Sequence, residues 1–130
     1  AQHGYTVQWR TAVSDGRAGY IRDDGYTQME GMWTSASPRS IQMSVGTHDP
    51  DGIPAHAAGM ARALALHEVA HGEIYRICGT PCPPIAGDRH EQVTTAYAHV
   101  VLGAPASNGG YTATPNDISA ARSIHAGVCE

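Results

Sequence analysis

The chain has 130 residues, 42% hydrophobic and 15% charged, which is enough apolar material for a packed core and excludes a disordered polyelectrolyte. Its formal net charge is −4 and all eight basic residues are scattered arginines, which excludes a phosphate-tracking surface, so no nucleic-acid partner is expected. No apolar run approaches the roughly 18 residues of a bilayer span, so no membrane contact is expected either. One domain covering residues 1–130 follows from the length. The chain opens on Ala1 with neither a charged nor an apolar leader, from which a processed start and a secreted protein are expected.

Tyr5, Val7 and Trp9 alternate with Thr6, Gln8 and Arg10, the period-two pattern of a half-buried strand. Asp15-Gly16 and Asp24-Gly25 then predict turns that divide the first third into short strands. Ser40 to Gly46 repeats the alternation, with Ile41, Met43 and Val45 on one face. After a polar loop at Thr47 to Gly52, Pro54 suits the first turn of a helix. Met60, Ala63, Leu64, His67, His71 and Ile74 recur at three- and four-residue steps, predicting one amphipathic helix from about Ala55 to Ile77. Gly79, Pro81, Pro83 and Pro84 stop it.

A second helix is predicted from Arg89 to Leu102, with Asp88 as N-cap and Gly103 and Pro105 as its end. A third runs from Pro115 to about His125, where Thr114 caps and Asp117 completes a capping box. Strands first and helices later make an α+β layout. The three cysteines allow at most one internal bridge. Cys78 to Cys82 is favoured, across a turn holding Gly79, Pro81 and Pro83, and the alternative joins either one to Cys129. A single CxxxC is poor support for a zinc knuckle.

Inside the first helix stands His67-Glu68-Val69-Ala70-His71, an HExxH pattern. Histidines four apart lie one above the other, so both imidazoles reach a single ion at about 2.0–2.1 Å without backbone strain. Glu68 is rotated by about 100° from His67, which sets its carboxylate beside the ion and not on it. There it is able to hold a metal-bound water and take its proton, the role expected of a general base. The pattern falls on the apolar side of the best amphipathic helix, where unpaired histidines and a glutamate cost several kcal/mol to bury with nothing to bind.

Catalytic zinc usually takes three protein ligands. The extended metzincin pattern is absent, because its glycine and histidine positions hold Ile74 and Ile77. A cysteine ligand upstream of the motif, as in peptide deformylases, is also excluded, since all three cysteines lie downstream. The best candidate is Glu91, on the next helix.

Here the chain resembles the thermolysin-like gluzincins, in which HExxH is followed by a helix bearing ExxxD. The matching stretch is Glu91-Gln92-Val93-Thr94-Thr95-Ala96-Tyr97-Ala98, and the resemblance covers roughly residues 55 to 102. It implies a zincin-like fold, with Zn2+ held by His67, His71 and Glu91. Thr95 stands where the family has the aspartate that orients a histidine ligand; its hydroxyl is still able to accept an imidazole N–H. Glu91, Thr94, Thr95 and Ala98 share a face, and the last three are small enough for close packing on the HExxH helix.

Alternatives stand beside this. Asp88 and Glu91 also fit a capping box, and His90 and Asp88 are substitute ligands. Asp88 as ligand would resemble the aspzincins, whose Gly-Thr motif has a partial counterpart in Gly79-Thr80. The strand from Ser40 to Gly46 is read either as an exposed edge that binds a peptide substrate as an added strand or as an ordinary interior strand of a small sheet. Tyr97, His99, Tyr111 and His125 are candidate donors to the oxyanion, while Glu73, Asp49 and Asp51 are expected on solvated surface.

The reading that results is a secreted, monomeric zinc-dependent peptidase with Glu68 as base, acting on a peptide or protein. Its alternatives are a non-catalytic binding or structural module that keeps the metal as a staple, and a metal-dependent amidase acting on a non-peptide substrate.

Overall fold

The computed structural model describes residues 4–11, 29–45 and 58–130. The turn signals Asp15-Gly16 and Asp24-Gly25, the loop from Thr47 to Gly52 and the predicted helix start at Ala55 lie outside them. The described residues form two small sheets and three α-helices. The first sheet holds β1 (Thr6–Thr11), β2 (Met29–Trp33) and β3 (Ser40–Val45) in the order β1-β3-β2. β1 runs parallel to β3, with Val7 opposite Ile41, and β2 runs antiparallel to it, with Trp33 opposite the same Ile41.

Of the two readings of the strand beginning at Ser40, the edge is therefore wrong and the interior strand is the one formed. β3 is paired on both sides and has no free row of backbone groups to offer a peptide. Among the described residues, the edges belong to β1 and β2.

Helix α1 (Ala58–Cys78) follows the sheet. The prediction of a single apolar face falls short, because this helix is buried on two sides. Ala65 and Val69 pack with Tyr5 and Ile41 of the sheet layer. Leu66, Ala70 and Ile74 pack with Val93, Ala96 and Tyr97 and with Ala121 and Ile124 of the later helices. The alanines at 63, 65 and 70 make a central position possible, since small side chains let neighbours approach from several directions. Leu66, Val69 and Ile74 are almost wholly buried, and each such side chain contributes roughly 1.5–3 kcal/mol.

The helix ends where the Gly79 N–H donates to the Tyr75 carbonyl at 2.7 Å. A short 3-10 turn, Pro84–Ala86, leads to α2 (His90–Val100). Its N-cap residue is Arg89 and no side chain caps it, so the predicted Asp88 cap is not formed. Arg89 is instead drawn to α3 (Pro115–His125), where its guanidinium grips the Asp117 carboxylate through two bonds of 2.9 Å. At the start of α3 the expected capping box is present: Thr114 accepts from the Asp117 N–H and Asp117 accepts from the Thr114 N–H.

Cys78 bridges Cys129, with 5.7 Å between their Cα atoms, and Cys82 is a free, exposed thiol. The favoured Cys78 to Cys82 bridge is thus replaced by its alternative. The Cys82 N–H turns inward to Thr80 Oγ1 at 3.1 Å, while the Ile85 N–H holds the C-terminal tail through the Cys129 carbonyl at 3.0 Å. A second sheet, absent from the sequence reading, is a hairpin of β4 (Ser107–Asn108) and β5 (Tyr111–Thr112). Gly109 and Gly110 both take positive φ, as tight two-residue hairpin turns require. Among the described residues no helix is long and apolar enough to cross a membrane.

Candidate metal centre

His67 and His71 lie one helical turn apart on α1, their ring centroids 4.9 Å apart and their planes nearly perpendicular. Glu91 sits in the first turn of α2, where Thr94, Thr95 and Ala98, all fully buried, bring the two helices together. Its Oε1 lies 2.8 Å from His71 Nε2 and 3.8 Å from His67 Nε2. The capping box that would have turned Glu91 back to Asp88 is not made. One nitrogen from each histidine and a carboxylate oxygen of Glu91 lie within 4.8 Å of one another, a group able to hold a metal ion. The two separations to Glu91 straddle the roughly 3.3 Å edge of a ligand tetrahedron with bonds of about 2.0–2.1 Å.

The hydrogen bonds around the rings decide which nitrogens face the carboxylate. Thr94 donates its hydroxyl proton to the His90 carbonyl at 2.6 Å, so at 3.4 Å its oxygen accepts from His71 Nδ1. The Asn108 amide nitrogen donates to the carbonyls of Thr95 and Pro105, at 3.1 and 2.9 Å, which turns Asn108 Oδ1 to His67 Nδ1 at 2.9 Å. Thr95 Oγ1 donates to the Asn108 carbonyl and accepts from the same His67 nitrogen at 3.2 Å. With hydrogens on both Nδ1 atoms, as these acceptors favour, neutral rings turn both Nε2 lone pairs to Glu91. Two lone pairs against a carboxylate repel unless positive charge lies between them, from protons on the rings or from a metal ion. This donor set suits a cation that takes imidazole and carboxylate.

The electrostatics agree. The imidazoles of His67 and His71 hold the Glu91 carboxyl well below the usual carboxylate range, against the opposing effect of burial. Burial disfavours the charged His67 ring, yet Glu91, Asn108 and Glu68 together draw its value above that of an ordinary histidine. Burial pushes the Glu68 carboxyl up, against the pull of His71 and His67 and a backbone hydrogen bond from Trp33.

Glu68 and His71 share the wall of a cavity of about 480 Å³ with Trp33, His90 and Cys82. Trp33, the last residue of β2, stacks toward His71 at 6.4 Å between centroids and packs on Tyr75 at 5.2 Å. Gly72 makes room for this. A Cβ there would lie 2.5 Å from Tyr5 Cε2 and 2.8 Å from Trp33 Nε1.

Of the substitute ligands, His90 lies on the cavity wall and Asp88 is exposed. Neither belongs to the three-residue group. Of the candidate oxyanion donors, Tyr97 is buried and bonded to His125 Nδ1 at 3.3 Å, and His99 Nδ1 is bonded to the Ala104 carbonyl at 2.7 Å. Tyr111 is the one of the four beside the group, stacked on His67 at 6.0 Å between centroids. Glu73, expected on solvated surface, is instead half-buried and bonded. It accepts from the Tyr5 hydroxyl at 2.8 Å and from Arg76 at 3.1 Å. Asp49 and Asp51 lie outside the described residues.

Sequence reasoning missed Asn108 and Trp33. The Gly109-Gly110 pair, a two-residue hairpin signal, marks the strand that carries the first; Trp33 carries no comparable signal. Compared with protein-family models, curated proteins and solved structures, the chain matches none of them.

Proposed function

We propose that the chain is a secreted, zincin-type zinc peptidase in which His67, His71 and Glu91 hold the ion and Glu68 is the general base. The observation that carries this is the shared cavity wall. Glu68 and His71 face the same space, so the candidate metal group borders a cavity wide enough for a substrate. Closed tetrahedral sites are structural, whereas catalytic sites keep a position open, and for that reason the staple reading is less well supported.

When bound, zinc supplies a Lewis acid that acidifies water toward a pKa of about 7 and polarises an acyl oxygen. The protein's own residues do the remaining work. The Glu68 carboxylate takes the proton of the attacking water and returns it to the leaving amine. A backbone hydrogen bond from Trp33, with the pull of His71 and His67, favours the ionised form of Glu68 that a base requires, against burial. The outer edge of β2, next to α1, replaces β3 as the strand to which an extended peptide adds. The Cys78 to Cys129 bridge supports an oxidising compartment, and hence secretion.

The test is Glu68→Gln with a casein-type substrate and a broad peptide library. The variant is expected to keep its zinc and lose roughly 10²–10⁴-fold in rate. Unchanged activity overturns the assigned base. A wild-type chain that binds zinc, leaves every peptide intact and hydrolyses a non-peptide amide supports the amidase alternative.

A further inference from the structure

From the hydrogen bonds around His67 we infer that Asn108 is a positioning residue for the metal group. It holds the His67 ring in the Nδ1–H tautomer, so that Nε2 faces Glu91. The inference deepens the zinc reading above and rests on it for its consequence, though not for the tautomer itself.

Asn108 is buried, with 4% of its surface exposed. Its amide has two ends with different tasks. The nitrogen end is committed to the carbonyls of Thr95 on α2 and Pro105 before β4. This leaves only the oxygen end for His67 Nδ1, and an oxygen acceptor requires the proton to sit on that nitrogen. Thr95 adds a second, longer acceptor contact to the same atom. An aspartate would still accept from His67 Nδ1 but could not donate to the carbonyls of Thr95 and Pro105, which its other oxygen would face. An alanine or leucine would perform neither.

The rest of the hairpin is fitted to the same ring. Gly109, at φ +63°, has no Cβ, and one placed there would run into the His67 ring atoms Cγ and Nδ1 and lie 2.7 Å from Cε1. Tyr111 stacks on the ring's face. The segment from Ser107 to Thr112 thus closes on one imidazole with a hydrogen bond, a backbone contact and an aromatic face. Its amide stands in for the carboxylate that commonly orients a metal-binding histidine. Unlike a carboxylate, it adds no negative charge to a group that already holds Glu91.

The experiment combines two measurements on the full chain. Nitrogen-15 NMR of the metal-free protein at alkaline pH reads the His67 tautomer, and competition with a chelating dye reads Zn2+ affinity. The wild type is expected to carry the proton on Nδ1. Asn108→Leu is expected to move it to Nε2 and to weaken Zn2+ binding roughly 10–100-fold. Asn108→Asp is expected to keep the Nδ1–H tautomer and to bind Zn2+ at least as tightly as wild type, while melting earlier. This second variant decides the matter if the leucine variant does not fold: loss of the Nδ1–H tautomer in it overturns the inference. A wild-type ring protonated on Nε2, or a folded leucine variant with unchanged tautomer and affinity, also overturns it. If the wild type keeps its Nδ1–H tautomer but takes up no Zn2+, the tautomer assignment stands and the proposed function fails.

Discussion

Glu91 Oε1 lies 2.8 Å from His71 Nε2, although the two residues sit on different helices. The carboxylate that begins α2 is turned across to α1, and the box that would bond it to its own N-terminus is not made. Of the three candidate third ligands, Glu91 is the one grouped with His67 and His71. Glu91→Ala is expected to weaken Zn2+ binding by more than roughly 100-fold. Asp88→Ala and His90→Ala are expected to leave the affinity unchanged. Chelator competition on the three purified variants checks this.

The Arg89 and Asp117 pair ties the start of α2 to the start of α3 and makes stability depend on acid pH. The Arg89 guanidinium, together with hydrogen bonds from Thr114, lowers the Asp117 carboxyl from 3.8 to about 2. The unfolded chain therefore takes up this proton first as pH falls. The stabilisation is fully present above about pH 4 and is lost as pH drops through about 2. Arg89 is exposed and its attraction is screened by solvent, so the contribution is modest. Thermal melts of wild type and Asp117→Asn across that range check it. The two curves should converge at the acid end and part above about pH 4.

The disulfide between Cys78 and Cys129 closes a loop with a sequence separation of 51. Native protein is expected to show one reactive thiol, and Cys82→Ser none. Cys78→Ser with Cys129→Ser should lose about 2–4 kcal/mol of stability, measured by urea unfolding, while Cys82→Ser should lose none. A bridge to Cys82 instead would show as a stability loss in Cys82→Ser.

The parts of this molecule that were legible in its sequence are those set by short-range geometry. His67 and His71 meet because residues four apart share a helix face. Thr114 and Asp117 meet because a capping box spans four residues. For Thr95 a histidine contact is implied only by the family resemblance, and its hydroxyl does touch His67. What the sequence left open depends on contacts between distant segments. β3 became central because β1 and β2 both pair with it, a fact of long-range register. Cys129 reached Cys78 because the tail after α3 folds back onto the Pro84–Ala86 turn. Asn108 reached His67 from a hairpin 41 residues away. The two-sided burial of α1 was hidden because alanine fits a core and a surface equally well.

Metal content is the most direct test of the whole account. Full-length protein, purified without chelator and dialysed against trace Zn2+, is expected to hold one zinc ion per chain by elemental analysis, and His67→Ala with His71→Ala none. A wild type free of transition metal under those conditions, with any hydrolytic activity indifferent to chelators, would contradict the account.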